Sequence, residues 1–135
     1  MAGRPFKVGF TYMIGFIASS FDLLHPGHLF TLGVCRQNCD YLIVGLHVGG
    51  RKKKLVETVY ERWVRLKACK SVDMIVPYET EGDLENILKT LDIGVRFLGE
   101  DYIKRKDITG KDLVPIRYIR RDHTWSSTEL KNRIK

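Results

Sequence analysis

The sequence predicts an α/β fold: a doubly wound, mainly five-stranded parallel sheet with helices on both faces. Two observations carry this expectation. Five short apolar segments mostly lack polar alternation, as strands do when both faces of a parallel sheet are covered. Segments of helical periodicity lie between them, so strand and helix alternate and right-handed crossovers follow. The 135 residues suit one domain over 1–135 with a single core, residues 1–6 being a loose terminus.

The elements follow in order. The strands are expected at roughly Tyr12–Ala18, Asp40–Leu46, Asp73–Pro77, Val95–Gly99 and Val114–Ile119. Pro115 has no N–H to give a ladder, which places the last strand at or near a sheet edge. Pro26 suits the first position of a helix running to about Gln37. Gly33 inside that helix costs some stability unless close packing needs it. Val59, Trp63 and Leu66 share one stripe of a helix over Val59–Lys70. Leu84, Ile87, Leu88 and Leu91 give the clearest helical spacing, with Asp83 as its cap and Gly94 just beyond its end. Ser126 and Glu129 form an S-x-x-E capping box before Leu130 and Ile134.

Composition narrows the class. Hydrophobic residues at 44% and charged residues at 29% argue against disorder. No apolar run is long enough to span a membrane, and the N-terminus lacks the order of a signal peptide, so a cytoplasmic location is expected. Cys35, Cys39 and Cys69 read as free thiols. The formal net charge of +7 favours an anionic partner. Nucleic acid is not expected, because the basic residues are not interleaved with aromatics and no recognised module is present.

Ligands of open α/β sheets bind beyond the carboxyl ends of the strands. Here those ends are followed by "SSFDLLHPGH", by "HVGGRKKK", by "GEDY" and by "RRDHTWSST". Polar, chemically capable segments therefore gather at one rim. His25 and His28 sit at the cap and first turn of a helix, where residues three apart share a face and the N-terminal dipole favours phosphate. Gly27 lets an oxyanion come close to the backbone. Taken alone, the pair reads equally well as a helix start with two surface histidines. A metal site is not expected: Cys35 lies roughly 10 Å along the helix from His28, too far to share an ion. Arg51–Lys54 follows two glycines at a strand end, which favours polyphosphate over an idle charged loop. Arg121 with Ser126, Ser127 and Thr128 forms a second anion cradle.

Together these segments resemble the cytidylyltransferase family of the H-x-G-H nucleotidyltransferase superfamily, most closely its glycerol-phosphate branch. His25-Pro26-Gly27-His28 matches the signature, and "SSFDLLHPGH" is similar to the family's "GTFDLLHxGH". "CDYLIVGL", "YERWVRLKACKSVDMIVP", "LGEDY" and "RRDHTWSST" follow in the family's order. The resemblance covers about Met13 to Lys135 and implies a Rossmann-like fold. It implies transfer of a cytidylyl group from CTP to a small phosphorylated alcohol, glycerol 3-phosphate leading, with release of pyrophosphate and Mg²⁺ accompanying the triphosphate. It further implies catalytic roles for His25, His28, Lys53 and Arg121. Ser19, Ser20, Phe21, Asp22, Gly27, Asp101, Ser126, Ser127 and Thr128 would bind nucleotide, and Arg51, Lys53 and Lys70 the acceptor. A homodimer is implied as well. Ser19 stands where the family has glycine, His47-Val48-Gly49 where it has S-T-D, and Lys70 where the glycerol-phosphate enzymes have arginine. Two alternatives remain: an adenylyltransferase using ATP with a flavin, sugar or other phosphate acceptor, and a non-catalytic nucleotide-binding module.

Overall fold

In a computed structural model, which describes residues 12–49, 54–120 and 127–134, strands and helices alternate as the periodicity requires. The elements are β1 (Ile14–Ser19), α1 (Pro26–Gln37), β2 (Tyr41–His47), α2 (Val59–Lys67), β3 (Met74–Tyr78), α3 (Glu81–Thr90), β4 (Val95–Gly99), β5 (Ile116–Ile119) and α4 (Ser127–Arg133). A single 3₁₀ turn, Glu100–Tyr102, follows β4. The five strands lie in the order β3-β2-β1-β4-β5, all pairs parallel. The order reverses between β1 and β4, which makes that junction the switch point of the sheet.

Alternate strand residues bury into two separate layers. Ile17, Leu42, Val44 and Phe97 pack with Leu32 and Cys35 of α1 and Leu66 of α2. Phe16, Ile43 and Tyr78 pack with Leu84, Ile87 and Leu88 of α3 on the other face. This two-sided burial explains the unbroken apolar runs. Each fully buried Leu or Phe contributes about 1.5–3 kcal/mol. Gly45 has a packing reason, since a Cβ there would lie 2.7 Å from Cζ of Phe16. A Cβ at Gly33 would meet nothing within 4 Å, so no close contact demands that glycine.

The ladders differ in length, and this shapes the rim. β1 pairs with β2 along its whole length, from Ile14↔Tyr41 to Ser19↔Leu46. With β4 it pairs only at Gly15↔Val95 and Phe16↔Arg96. The two central strands therefore part above Arg96, and a crevice opens toward their carboxyl ends.

Element boundaries differ from expectation where capping chemistry decides them. α2 ends at Lys67, three residues early, so Lys70 lies in the turn before β3. The cap of α3 is Thr80, not Asp83. The Thr80 hydroxyl accepts from the Asp83 N–H at 3.0 Å, and the Asp83 carboxylate accepts from Thr80 N–H at 3.1 Å, a reciprocal capping box. Pro115 precedes β5, which is an edge strand as expected. The Ser126 half of the predicted C-terminal capping box, and the terminal stretch 1–6, lie outside the described residues.

Candidate active site

The loop after β1 enters α1 through a strained turn. Phe21 and Leu23 hold φ values of 51° and 50°, the left-handed region that costs L-residues roughly 1–2 kcal/mol each. Such strain persists only where surrounding contacts over-determine it, and those contacts are visible. Both Asp22 carboxylate oxygens accept backbone N–H groups, Oδ2 from Val56 at 3.0 Å and Oδ1 from Glu57 at 2.9 Å. Glu57 Oε1 accepts from Leu23 N–H at 2.7 Å, and its Oε2 pairs with Arg65 Nε at 2.6 Å. Arg62, 3% exposed, donates from Nη1 to the carbonyl oxygens of Ser20 and His47 at 2.9 and 2.8 Å. The ends of β1 and β2 are thus tied to the start of α2.

Burial pushes the Asp22 carboxyl upward, but the N–H groups of Val56 and Glu57, with Lys131 and Arg62 nearby, outweigh it. The net result lies below the usual carboxylate value. Asp22, expected among the nucleotide-binding residues, has both its oxygens engaged in holding this loop.

His25 caps α1. Its Nδ1 accepts from Gly27 N–H at 3.0 Å, and His28 Nδ1 accepts from the His25 N–H at 3.2 Å. With both Nδ1 atoms acting as acceptors, each neutral ring carries its proton on Nε2. The rings stack with centroids 3.9 Å apart, and Phe21 meets the His28 ring edge-on at 5.6 Å. Two Nε2–H donors are thereby fixed side by side at the positive end of a helix. That arrangement stabilises negative charge developing on a phosphate. Gly27, expected to let an oxyanion approach the backbone, is buried at the start of α1 with its amide N–H bonded to His25 Nδ1.

The structure brings His25, His28, Ser19, Ser20, Phe21, Asp22 and Asp101 to one rim, at the carboxyl ends of β1 and β4. Thr128 lies exposed in α4, whose Lys131 is felt by Asp22, so that helix stands beside the same loop. Ser127 begins α4. Lys70 is not brought there. α2 starts at the rim and runs down the sheet, which leaves Lys70 at the opposite end, where β3 begins. Arg51, Lys53, Arg121 and Ser126 lie outside the described residues.

A cavity of about 630 Å³ opens on the α3 side of the same rim. Ser19, Tyr78, Arg96, Tyr102 and Thr109 are among its lining residues. Ser19 was expected there and Tyr102 belongs to the rim segment "GEDY", but Tyr78, Arg96 and Thr109 were not singled out in the sequence. An arginine inside "GVRFLGEDY" reads as one more surface cation, and only the register Phe16↔Arg96 shows that it stands at the foot of the crevice. Arg62 and Glu57 were passed over for the same reason.

Residues 16–133 match the family model described as cytidylyltransferase-like. The chain belongs to the cytidylyltransferase-like family. Among curated relatives, it is 34% identical over 110 residues to the bifunctional protein HldE of Hyphomonas neptunium, covering 77% of this chain and 22% of that protein. The chain therefore spans about a fifth of the length of those HldE relatives. It is 29% identical over 119 residues to glycerol-3-phosphate cytidylyltransferase of Staphylococcus aureus, covering 85% of this chain and 89% of that protein. Two solved structures share the fold. The lipopolysaccharide core biosynthesis protein of Thermoplasma volcanium superposes with a TM-score of 0.66 at 20% identity, over 84% of this chain and 98% of that one. The nicotinic acid mononucleotide adenylyltransferase of Plasmodium falciparum superposes with 0.57 at 13% identity, over 90% and 83%. The cytidylyltransferase-like family places the protein among the nucleotidyltransferases, and binding of a nucleotide substrate goes with that family. No helix among the described residues is long and apolar enough to cross a membrane.

Proposed function

We propose that this cytidylyltransferase-like protein transfers a cytidylyl group from CTP to a small phosphorylated alcohol, a class to which glycerol 3-phosphate belongs. The observation that carries the reading is the stacked pair of imidazoles at the start of α1, each with its Nδ1 accepting a backbone N–H, beside the parting of β1 and β4. A phosphate oxygen of the acceptor attacks the α-phosphorus in line. The bond from that phosphorus to the bridging oxygen breaks, and its electron pair leaves with pyrophosphate. In such transfers the protein mainly positions groups and stabilises charge. His25 and His28 donate to the α-phosphate and the leaving oxygen. Lys53, Arg51 and Arg121 neutralise phosphate charge, and Ser20, Phe21, Asp101 and the Ser126-Ser127-Thr128 segment hold the nucleotide.

The imidazole and hydroxyl groups at the rim are of a kind that suits phosphate oxygen. Mg²⁺ belongs to this reading as the triphosphate's companion, taking phosphate and water oxygens as ligands and neutralising their charge. A pair of copies belongs to it too. Leu29 and Phe30, successive residues of α1 and each 46% exposed, leave apolar surface that a second copy would cover. Size-exclusion chromatography with light scattering reads that mass directly.

The deciding experiment is pyrophosphate release with each of four triphosphates crossed with phosphorylated acceptors. Turnover with CTP and glycerol 3-phosphate supports the proposal. Turnover with ATP alone replaces cytidylyl by adenylyl transfer. Tight nucleotide binding with no release for any pair leaves a non-catalytic module.

A further inference from the structure

The 630 Å³ cavity has a floor that the transfer chemistry does not use. Arg96 points from β4 to the α3 side and is 5% exposed. It is the last β4 residue laddered to β1, opposite Phe16. Ser19 ends β1 three residues higher, roughly 10 Å along the strand at 3.3 Å per residue. The guanidinium therefore stands below the rim where His25 and His28 act, in the crevice that opens above it.

Its bonding is incomplete for so buried a cation. Nη1 donates to the carbonyl oxygen of Thr109, and no described carboxylate forms an ion pair with it. Burial works against its charge, and the fields of Tyr78, Glu81 and Tyr102 offset this only in part. Guanidinium stays charged in proteins and keeps a flat two-donor edge that fits a carboxylate. The carboxylates of the cavity wall already have partners. Glu81 Oε2 accepts from the Thr109 hydroxyl at 2.6 Å, and Asp107 pairs with Arg105 at 3.4 Å. A neutral polyol needs both donors and acceptors from its pocket. An oxyanion needs donors, and donors are what the floor still offers.

We propose that Arg96 is a specificity-determining residue that binds a second anionic group, a carboxylate, on the tail of the phosphorylated acceptor. The acceptor then carries its reacting phosphate at the rim and its carboxylate at the floor. This rests on the transfer reading for the word acceptor. The Arg96–carboxylate contact itself is a statement about binding and is tested separately.

The test uses pairs of compounds alike except at the far end: 3-phosphoglycerate against glycerol 3-phosphate, and 4-phosphoerythronate against erythritol 4-phosphate. Calorimetry with the wild-type protein should show each carboxylate member binding at least tenfold tighter than its alcohol partner. With the triphosphate that supports turnover, kcat/KM should follow the same order. Arg96→Met should bring each pair within about twofold while leaving the nucleotide Kd unchanged, and Arg96→Lys should keep part of the preference. Equal or reversed preference in the wild-type protein overturns the proposal without recourse to any variant, so a misfolded Arg96→Met protein does not shelter it. Preference that survives in a folded Arg96→Met protein overturns it as well. Carboxylate-selective binding with no pyrophosphate release from any pair sinks the transferase reading and supports the site.

Discussion

His25 and His28 do two jobs with one ring each. Their Nδ1 atoms accept backbone N–H groups at the start of α1, and this fixes the proton on Nε2. His28→Ala should lower turnover by at least about a hundredfold, the scale of losing one oxyanion donor. Its melting temperature should fall by no more than the loss of one cap bond, from the His25 N–H, because the bond from Gly27 is accepted by His25 and stays. A collapse in melting temperature with unchanged turnover would make His28 structural. Gly33 offers the opposite case. It sits in the interior of α1 with open space where a Cβ would go. Gly33→Ala should raise stability by about 0.5–1 kcal/mol, read by urea melts, with activity unchanged.

The loop from β1 to α1 holds its shape through another element. Asp22, Glu57 and Arg62 bind it to the start of α2, which explains how two non-glycine residues tolerate positive φ. Against the effect of burial, the N–H groups of Val56 and Glu57 hold the Asp22 carboxyl below the usual carboxylate range in the folded protein. A lowered folded value means its contribution is fully present above the unfolded value and is lost as pH falls through the folded one. Wild-type stability should therefore drop as pH falls below about 4 through this group. In Asp22→Asn one of the two N–H groups loses its acceptor, at a cost of roughly 1–3 kcal/mol at pH 7. The gap between the two proteins should narrow in thermal melts taken at progressively lower pH. A constant gap down to pH 3 would remove Asp22 as the acid-sensitive clamp.

At the scale of the whole molecule, a +7 chain gathers its helix N-termini at one end of its sheet. A ligand bound only by the folded state at a hundred times its Kd adds about 2.7 kcal/mol. For a domain of this size that corresponds to roughly 8–15 °C in melting temperature. CTP should give the largest rise of the four triphosphates, and the rise should shrink with added salt as phosphate contacts are screened. A larger rise with ATP would move the base assignment to adenine.

The sequence by itself determined the fold class and the order of elements, and it pointed to the histidine pair at the start of α1. Hydrophobic periodicity is local, and Pro26 marks a helix start wherever it lies, so α1 is found at Pro26–Gln37 as read. The rim followed too, because parallel crossovers put all strand carboxyl ends on one side. Helix ends were less legible, since Thr80 and Asp83 compete for one cap and only the reciprocal bonds choose between them. Tertiary structure alone decided what each charge does. Asp22 and Lys70 carry the same formal charge in either reading, yet one is engaged by N–H groups 34 and 35 residues away and the other lies at the wrong end of the sheet. Arg96 became a binding residue only when the β1–β4 ladder stopped beside it. A side chain's charge is written in the sequence, but its burial and partners belong to segments far apart in the chain.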